Sequence, residues 1–68
     1  MTYQEKQEWA SIEGDIKNLE NRIAAIEEEM QANGSDFGKL ATLQKELDEK
    51  NEELLEKYER YEYLSELA

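Results

Sequence analysis

The chain has 68 residues, with 18 acidic and 8 basic side chains, a net charge of −10, and neither cysteine nor histidine. Without those two residue types there is no disulfide framework, no thiolate nucleophile or thiolate metal site, no histidine zinc ligand and no general base of the usual neutral-pH kind. The length allows one small domain of marginal stability, and the charge repels phosphate backbones and anionic membranes at long range.

The opening Met1-Thr2-Tyr3-Gln4-Glu5-Lys6 lacks the apolar core of a signal peptide, and no later run approaches a membrane span, so a cytoplasmic chain with no membrane partner is expected. Thr2 followed three residues later by Glu5 has the form of a capping box, which predicts a helix starting near Tyr3. From there Trp9, Ile12, Ile16, Leu19, Ile23, Ile26 and Met30 recur at alternating intervals of three and four, the seam of a coiled coil. The pattern predicts one helix over about 3–32. Gly14 falls on its outer face, where flexibility lowers stability by about 1 kcal/mol relative to alanine.

Asn33-Gly34 breaks the pattern, both residues tolerating the left-handed conformation common just past a helix C-terminus. Ser35 or Asp36 then supplies the cap of a second helix, expected over about 37–67 after a turn at 33–36. Its apolar series is Leu40, Leu43, Leu47, Leu54, Tyr58 and Tyr61. So short a connection forces the helices antiparallel, and facing residues should then have numbers that sum to about 70. On that register Met30 meets Leu40, Ile23 meets Leu47, Ile16 meets Leu54, Ile12 meets Tyr58 and Trp9 meets Tyr61. Leu19 meets Asn51, at a step of four and four from Leu43 through Leu47; this predicts a local unwinding at which Asn51 fixes register or marks a flexing point. The fold class is all-α, an antiparallel two-helix coiled-coil hairpin. Such a shape has no concave pocket, so its action belongs to its surface.

The end away from the turn gathers Tyr3, Trp9, Tyr58, Tyr61 and Tyr63, where the seam widens to admit Leu64 and Leu67. Aromatic rings with a polar edge suit a packed surface that stays partly wet. They close the open end of the hairpin and offer a footing against another domain. At the turn, Asp36-Phe37-Gly38 spells the magnesium-binding tripeptide of protein kinases, but the rest of that signature is missing; Asp36 is expected to cap and Phe37 to fold back over Met30 and Leu40. The carboxylates of Glu27, Glu28 and Glu29, and of Glu46, Asp48, Glu49, Glu52, Glu53 and Glu56, alternate with lysines on a solvated face, unlike the paired, environment-split carboxylates of acid–base sites. No phosphate-cradling loop is present. Neither a catalytic residue, a metal site nor a cofactor site is expected in this chain. Most basic residues lie near a carboxylate of their own helix, Lys45 near Glu49 and Lys57 near Glu53, which leaves Lys39 at the turn as the cation most available to a partner, nucleic acid included.

The opening Thr2-Tyr3-Gln4-Glu5-Lys6-Gln7-Glu8-Trp9, the isoleucine-rich seam, the turn Asn33-Gly34-Ser35-Asp36-Phe37-Gly38-Lys39-Leu40 and the ending Tyr58-Glu59-Arg60-Tyr61-Glu62-Tyr63-Leu64-Ser65-Glu66-Leu67 together resemble the C-terminal coiled-coil domain of Uup-type ABC-F ATPases. The resemblance covers nearly the whole chain. It implies a non-catalytic accessory module at the end of a protein with two ATP-binding cassettes, a protein that is cytoplasmic, spans no membrane and acts in translation on the ribosome. ATP and magnesium would belong to the cassettes of that parent. The partners implied are the parent's ATPase domains and the ribosome or a nucleoprotein, with DNA binding also associated with the family domain. Met1 would then be a start introduced by excising the domain from the C-terminus of a longer protein. Two other classes of function stay open, a DNA- or RNA-binding hairpin and a purely structural element in which a lone hairpin pairs with a second copy.

Overall fold

The computed structural model describes residues 1–68 as two helices, α1 (Tyr3–Ala32) and α2 (Phe37–Leu67), folded into an antiparallel hairpin of 49 × 15 × 15 Å. The antiparallel sense is plain from the partners that meet across the rod. Glu8 meets Arg60, Asp15 meets Lys57 and Arg22 meets Glu46, so numbers rise along one helix as they fall along the other.

Local chemistry sets the ends. The Thr2 hydroxyl accepts from the Glu5 N–H at 3.2 Å, while the Glu5 carboxylate accepts from the Thr2 N–H at 2.9 Å, completing the capping box at the start of α1. At the other end the expected left-handed residue is absent, because no residue of the chain has positive φ. Asn33 closes α1 at φ −115° and ψ 35°, with its backbone N–H and its side-chain Nδ2 both donating to the Glu29 carbonyl. The helix thus ends on an ordinary i to i−4 bond reinforced by the Asn33 side chain, without a left-handed turn. Asp36, rather than Ser35, caps α2, its carboxylate accepting from the Lys39 N–H at 3.1 Å.

The core is thin. Ile12, Ile16, Ile26, Leu43 and Leu64 are buried, with Trp9, Leu54 and Tyr61 packed around the cluster of Ile12, Ile16 and Leu64. Along α1 burial follows the expected seam from Trp9 to Met30. Along α2 it does not. The buried and half-buried positions include Leu40, Leu43, Leu47, Lys50, Leu54, Lys57, Tyr61 and Leu64, an unbroken alternation of three and four. Asn51 and Tyr58, expected in the seam, are exposed. The step of four and four is therefore absent, and Asn51 neither fixes register nor interrupts the supercoil.

The physical reason lies in the lysine side chain, whose methylene stem covers apolar surface while its ammonium stays wet. Lys50 and Lys57 lie in the seam in this way. The Lys50 ammonium reaches Glu53 at 3.4 Å and the Lys57 ammonium reaches Asp15 across the interface at 3.9 Å, instead of the expected Glu53. Two lysines thus keep the helix in one continuous repeat, which a local unwinding would have broken. The same register corrects Phe37: stepping back from Leu40 in the alternation lands on the cap, Asp36, so Phe37 falls beside the seam and is 81% exposed instead of folding over Met30 and Leu40.

Candidate functional site

Four of the five residues singled out in the sequence lie towards the end away from the turn. Trp9 and Tyr61 are half-buried and pack on each other, ring centroids 5.2 Å apart and planes tilted by 33°, as tilted aromatic pairs prefer. Tyr63 is about half exposed, and its hydroxyl donates to the Glu5 carboxylate at 2.9 Å. Tyr3, 75% exposed, only accepts from the Gln7 side-chain amide at 2.8 Å. Lys39 lies at the turn, exposed and in no ion pair, at the far end of the rod from the aromatic residues.

What joins the open end is a charged latch that apolar periodicity does not reveal. The Arg60 guanidinium grips Glu8 through two parallel hydrogen bonds, 2.8 Å from Nε and 2.7 Å from an Nη, the fork geometry that makes arginine–carboxylate pairs specific. It also lies 4.9 Å from the centre of the Tyr63 ring. Those hydrogen bonds hold the Glu8 carboxyl below the usual carboxylate range and push the Arg60 guanidinium up. Glu5 serves two partners, the Thr2 backbone at the cap of α1 and the Tyr63 hydroxyl of α2, and these donors lower its carboxyl as well. The same carboxylate raises the Tyr63 phenol, since an acceptor beside an ionising hydroxyl disfavours the anion. A Glu–Arg pair at a separation of 52 positions leaves a signal in sequence only once the register is known.

The two long edges of the hairpin differ. One carries Glu8, Asp15 and Arg22 of α1, seven residues apart, each answered by an opposite charge of α2. The other carries Glu13, Glu20 and Glu27 of α1, also seven apart, and no ion pair includes any of them. The α2 neighbours of Glu13 and Glu20 are tyrosines. Tyr58 donates its hydroxyl to Glu20 at 3.0 Å, which raises the Tyr58 phenol, and Tyr61 donates to Glu13 at 3.4 Å. Between these groups lies an open groove of about 200 Å³, lined by Glu13, Ile16, Glu20, Tyr58 and Tyr61. A surface concavity therefore exists where none was expected, and it exists because Tyr58 stands at the rim and not in the seam.

No group of three or more Asp or Glu side chains converges to hold a metal ion, and no helix is long and apolar enough to cross a membrane.

The family model described as ABC transporter C-terminal domain matches residues 1–66. The chain is 37% identical over 65 residues to YfmR of Bacillus subtilis (strain 168), an uncharacterized ABC transporter ATP-binding protein, and the match covers 96% of this chain and 10% of YfmR. The chain thus spans about a tenth of the length of the curated relative it matches. No solved structure matches it.

Proposed function

The chain belongs to the ABC transporter C-terminal domain family, and we propose that it is a non-catalytic accessory arm that positions an ABC-F-like ATP-binding protein on the ribosome or a nucleoprotein partner. The observation that carries the reading is a 49 Å rod whose ends differ in chemistry. One end is latched by Glu5, Glu8, Arg60 and Tyr63 and bears the Trp9–Tyr61 pair, and the other exposes Phe37 and Lys39 at a tight turn. A rod so braced transmits position, and a surface of solvated carboxylates offers no acid–base pair for chemistry.

In this reading Tyr3, Trp9, Tyr61 and Tyr63 are the footing against the ATPase domains of the parent. Lys39 and Phe37 are carried outward. ATP and magnesium act in the parent's cassettes, and the parent works in the cytoplasm. The net charge of −10 opposes a direct phosphate contact along the rod, so attachment through protein surfaces is favoured over DNA or RNA binding.

The test is deletion of this segment from its full-length parent, read by co-sedimentation with ribosomes alongside ATPase activity. Ribosome association is expected to fall while nucleotide hydrolysis by the cassettes persists. Unchanged association together with unchanged cellular function would overturn the proposal.

A further inference from the structure

On the ion-paired edge of the hairpin Glu8, Asp15 and Arg22 are each answered by an opposite charge of α2, and on the groove edge Glu13 and Glu20 are not. Glu13 and Glu20 rim a concavity floored by Ile16 and walled by Tyr58 and Tyr61, and each carboxylate is met there only by a tyrosine hydroxyl. A phenol donates one hydrogen bond and brings no compensating charge. The cations nearest along α1 are Lys17, four residues after Glu13 and three before Glu20, and Arg22; Lys17 forms no ion pair with either carboxylate, and Arg22 is engaged at Glu46. Arg60 and Lys57 are already engaged at Glu8 and Asp15.

The volume of about 200 Å³ is below the range of roughly 300–1,000 Å³ typical of small-molecule pockets, so it suits one side chain rather than a cofactor. The lining selects which one. Two carboxylates reject phosphate and carboxylate groups, whereas two phenol rings beside them favour a planar cation able to stack and to donate forked hydrogen bonds. Next to the groove, Leu55 is 60% exposed, one turn from Tyr58 on the same helix, so apolar surface borders the acidic rim.

We infer that this groove is a docking site for an arginine side chain carried on a basic amphipathic helix of a protein partner, with Glu13 and Glu20 clamping the guanidinium, the exposed Tyr58 stacking against it, and Leu55 meeting the helix's apolar face. Because Glu13, Glu20 and Glu27 recur every seven residues, a partner helix with arginine at the same spacing would answer them as α2 answers Glu8, Asp15 and Arg22 on the other edge. The inference rests on the proposed accessory role only in supplying that arm with a protein contact.

The probe is a capped synthetic helical peptide with arginine at every seventh position and leucine on one face, titrated into the isotope-labelled chain and followed by amide chemical shifts. A matched peptide with glutamate for arginine is the control. Saturable shifts centred on Glu13, Ile16, Glu20, Tyr58 and Tyr61 are expected with the arginine peptide alone. The double variant Glu13→Gln/Glu20→Gln should weaken its binding about tenfold or more. The variant Glu52→Gln/Glu59→Gln, which removes the same charge from other exposed positions, should change it less than about twofold. Equal weakening by the two variants would show non-specific attraction to an acidic rod and overturn the inference. Concentration-dependent self-association abolished by Glu13→Gln/Glu20→Gln would assign the groove to a second copy and overturn it equally. In the full-length parent, loss of ribosome association on deleting the hairpin but not in Glu13→Gln/Glu20→Gln would sink the groove while leaving the accessory role standing.

Discussion

The register of α2 can be tested by comparing leucine with alanine at two adjacent positions, 50 and 51. Leucine and alanine have similar helix propensities, differing by about 0.2 kcal/mol in favour of alanine, so any large advantage of leucine must come from burial. The Lys50 side chain is 28% exposed, which leaves nearly three quarters of it covered, and Asn51 is exposed. Full burial of a leucine is worth about 1.5–3 kcal/mol, hence about 1–2 kcal/mol at position 50 and close to zero at position 51. For a domain of this size 1 kcal/mol moves the melting midpoint by about 4–8 °C. Lys50→Leu should therefore melt about 4–16 °C above Lys50→Ala, whereas Asn51→Leu and Asn51→Ala should agree within about 2 °C. The assay is thermal unfolding by far-ultraviolet circular dichroism at two protein concentrations, because coupling to self-association would make the midpoint concentration-dependent. A leucine advantage at 51 as large as at 50 would refute the continuous repeat and restore the local unwinding.

Three further outcomes follow from local geometry. A Cβ at Gly14 meets nothing within 4 Å, and the residue lies on the exposed face of α1, so Gly14→Ala should stabilise by about 0.4–1 kcal/mol, read as a higher melting midpoint. Thr2→Ala removes the hydroxyl that accepts from Glu5 N–H and should destabilise by about 1 kcal/mol, with hydrogen exchange rising first at the start of α1. Glu8 has a folded carboxyl held below its ordinary value of 4.5 by Arg60, so the stability it contributes is complete above that value and is lost as pH falls through the lower folded one. The melting difference between the native chain and Glu8→Gln should accordingly be full near neutral pH and shrink only below about pH 4.5. A difference that is constant across the acid range would place Glu8 outside the latch.

The two helices are legible in the sequence because each relies on information carried within one or two turns. Thr2 and Glu5 announce the start of α1, Asp36 lies one residue before Phe37, and seven apolar residues of α1 repeat without interruption. Counting apolar residues fails on α2 for an equally local reason. Lys50 and Lys57 are classed as polar although most of each chain is hydrocarbon, so the eye passes over them to Asn51 and Tyr58. That displacement of one position moves Tyr58 from the core to a rim, and with it appears a groove that apolar spacing could not indicate. The latch escaped for a different reason: Glu8 and Arg60 each look like one more solvated charge until α2 is laid beside α1.

Periodicity and capping, both matters of short-range sterics and hydrogen bonding, thus determine from the sequence alone that there are two helices, where they begin and end, and that they run in opposite directions. Which side chains meet is decided only by the packed pair. A shift of one position along α2 exchanges seam for surface, and the choice between registers is made by the summed burial of stems and rings and by the cross-helix partners of Glu8, Asp15 and Arg22. These interactions are long-range in sequence, so no window along the chain contains them, and the unpaired edge that follows exists only in the folded hairpin.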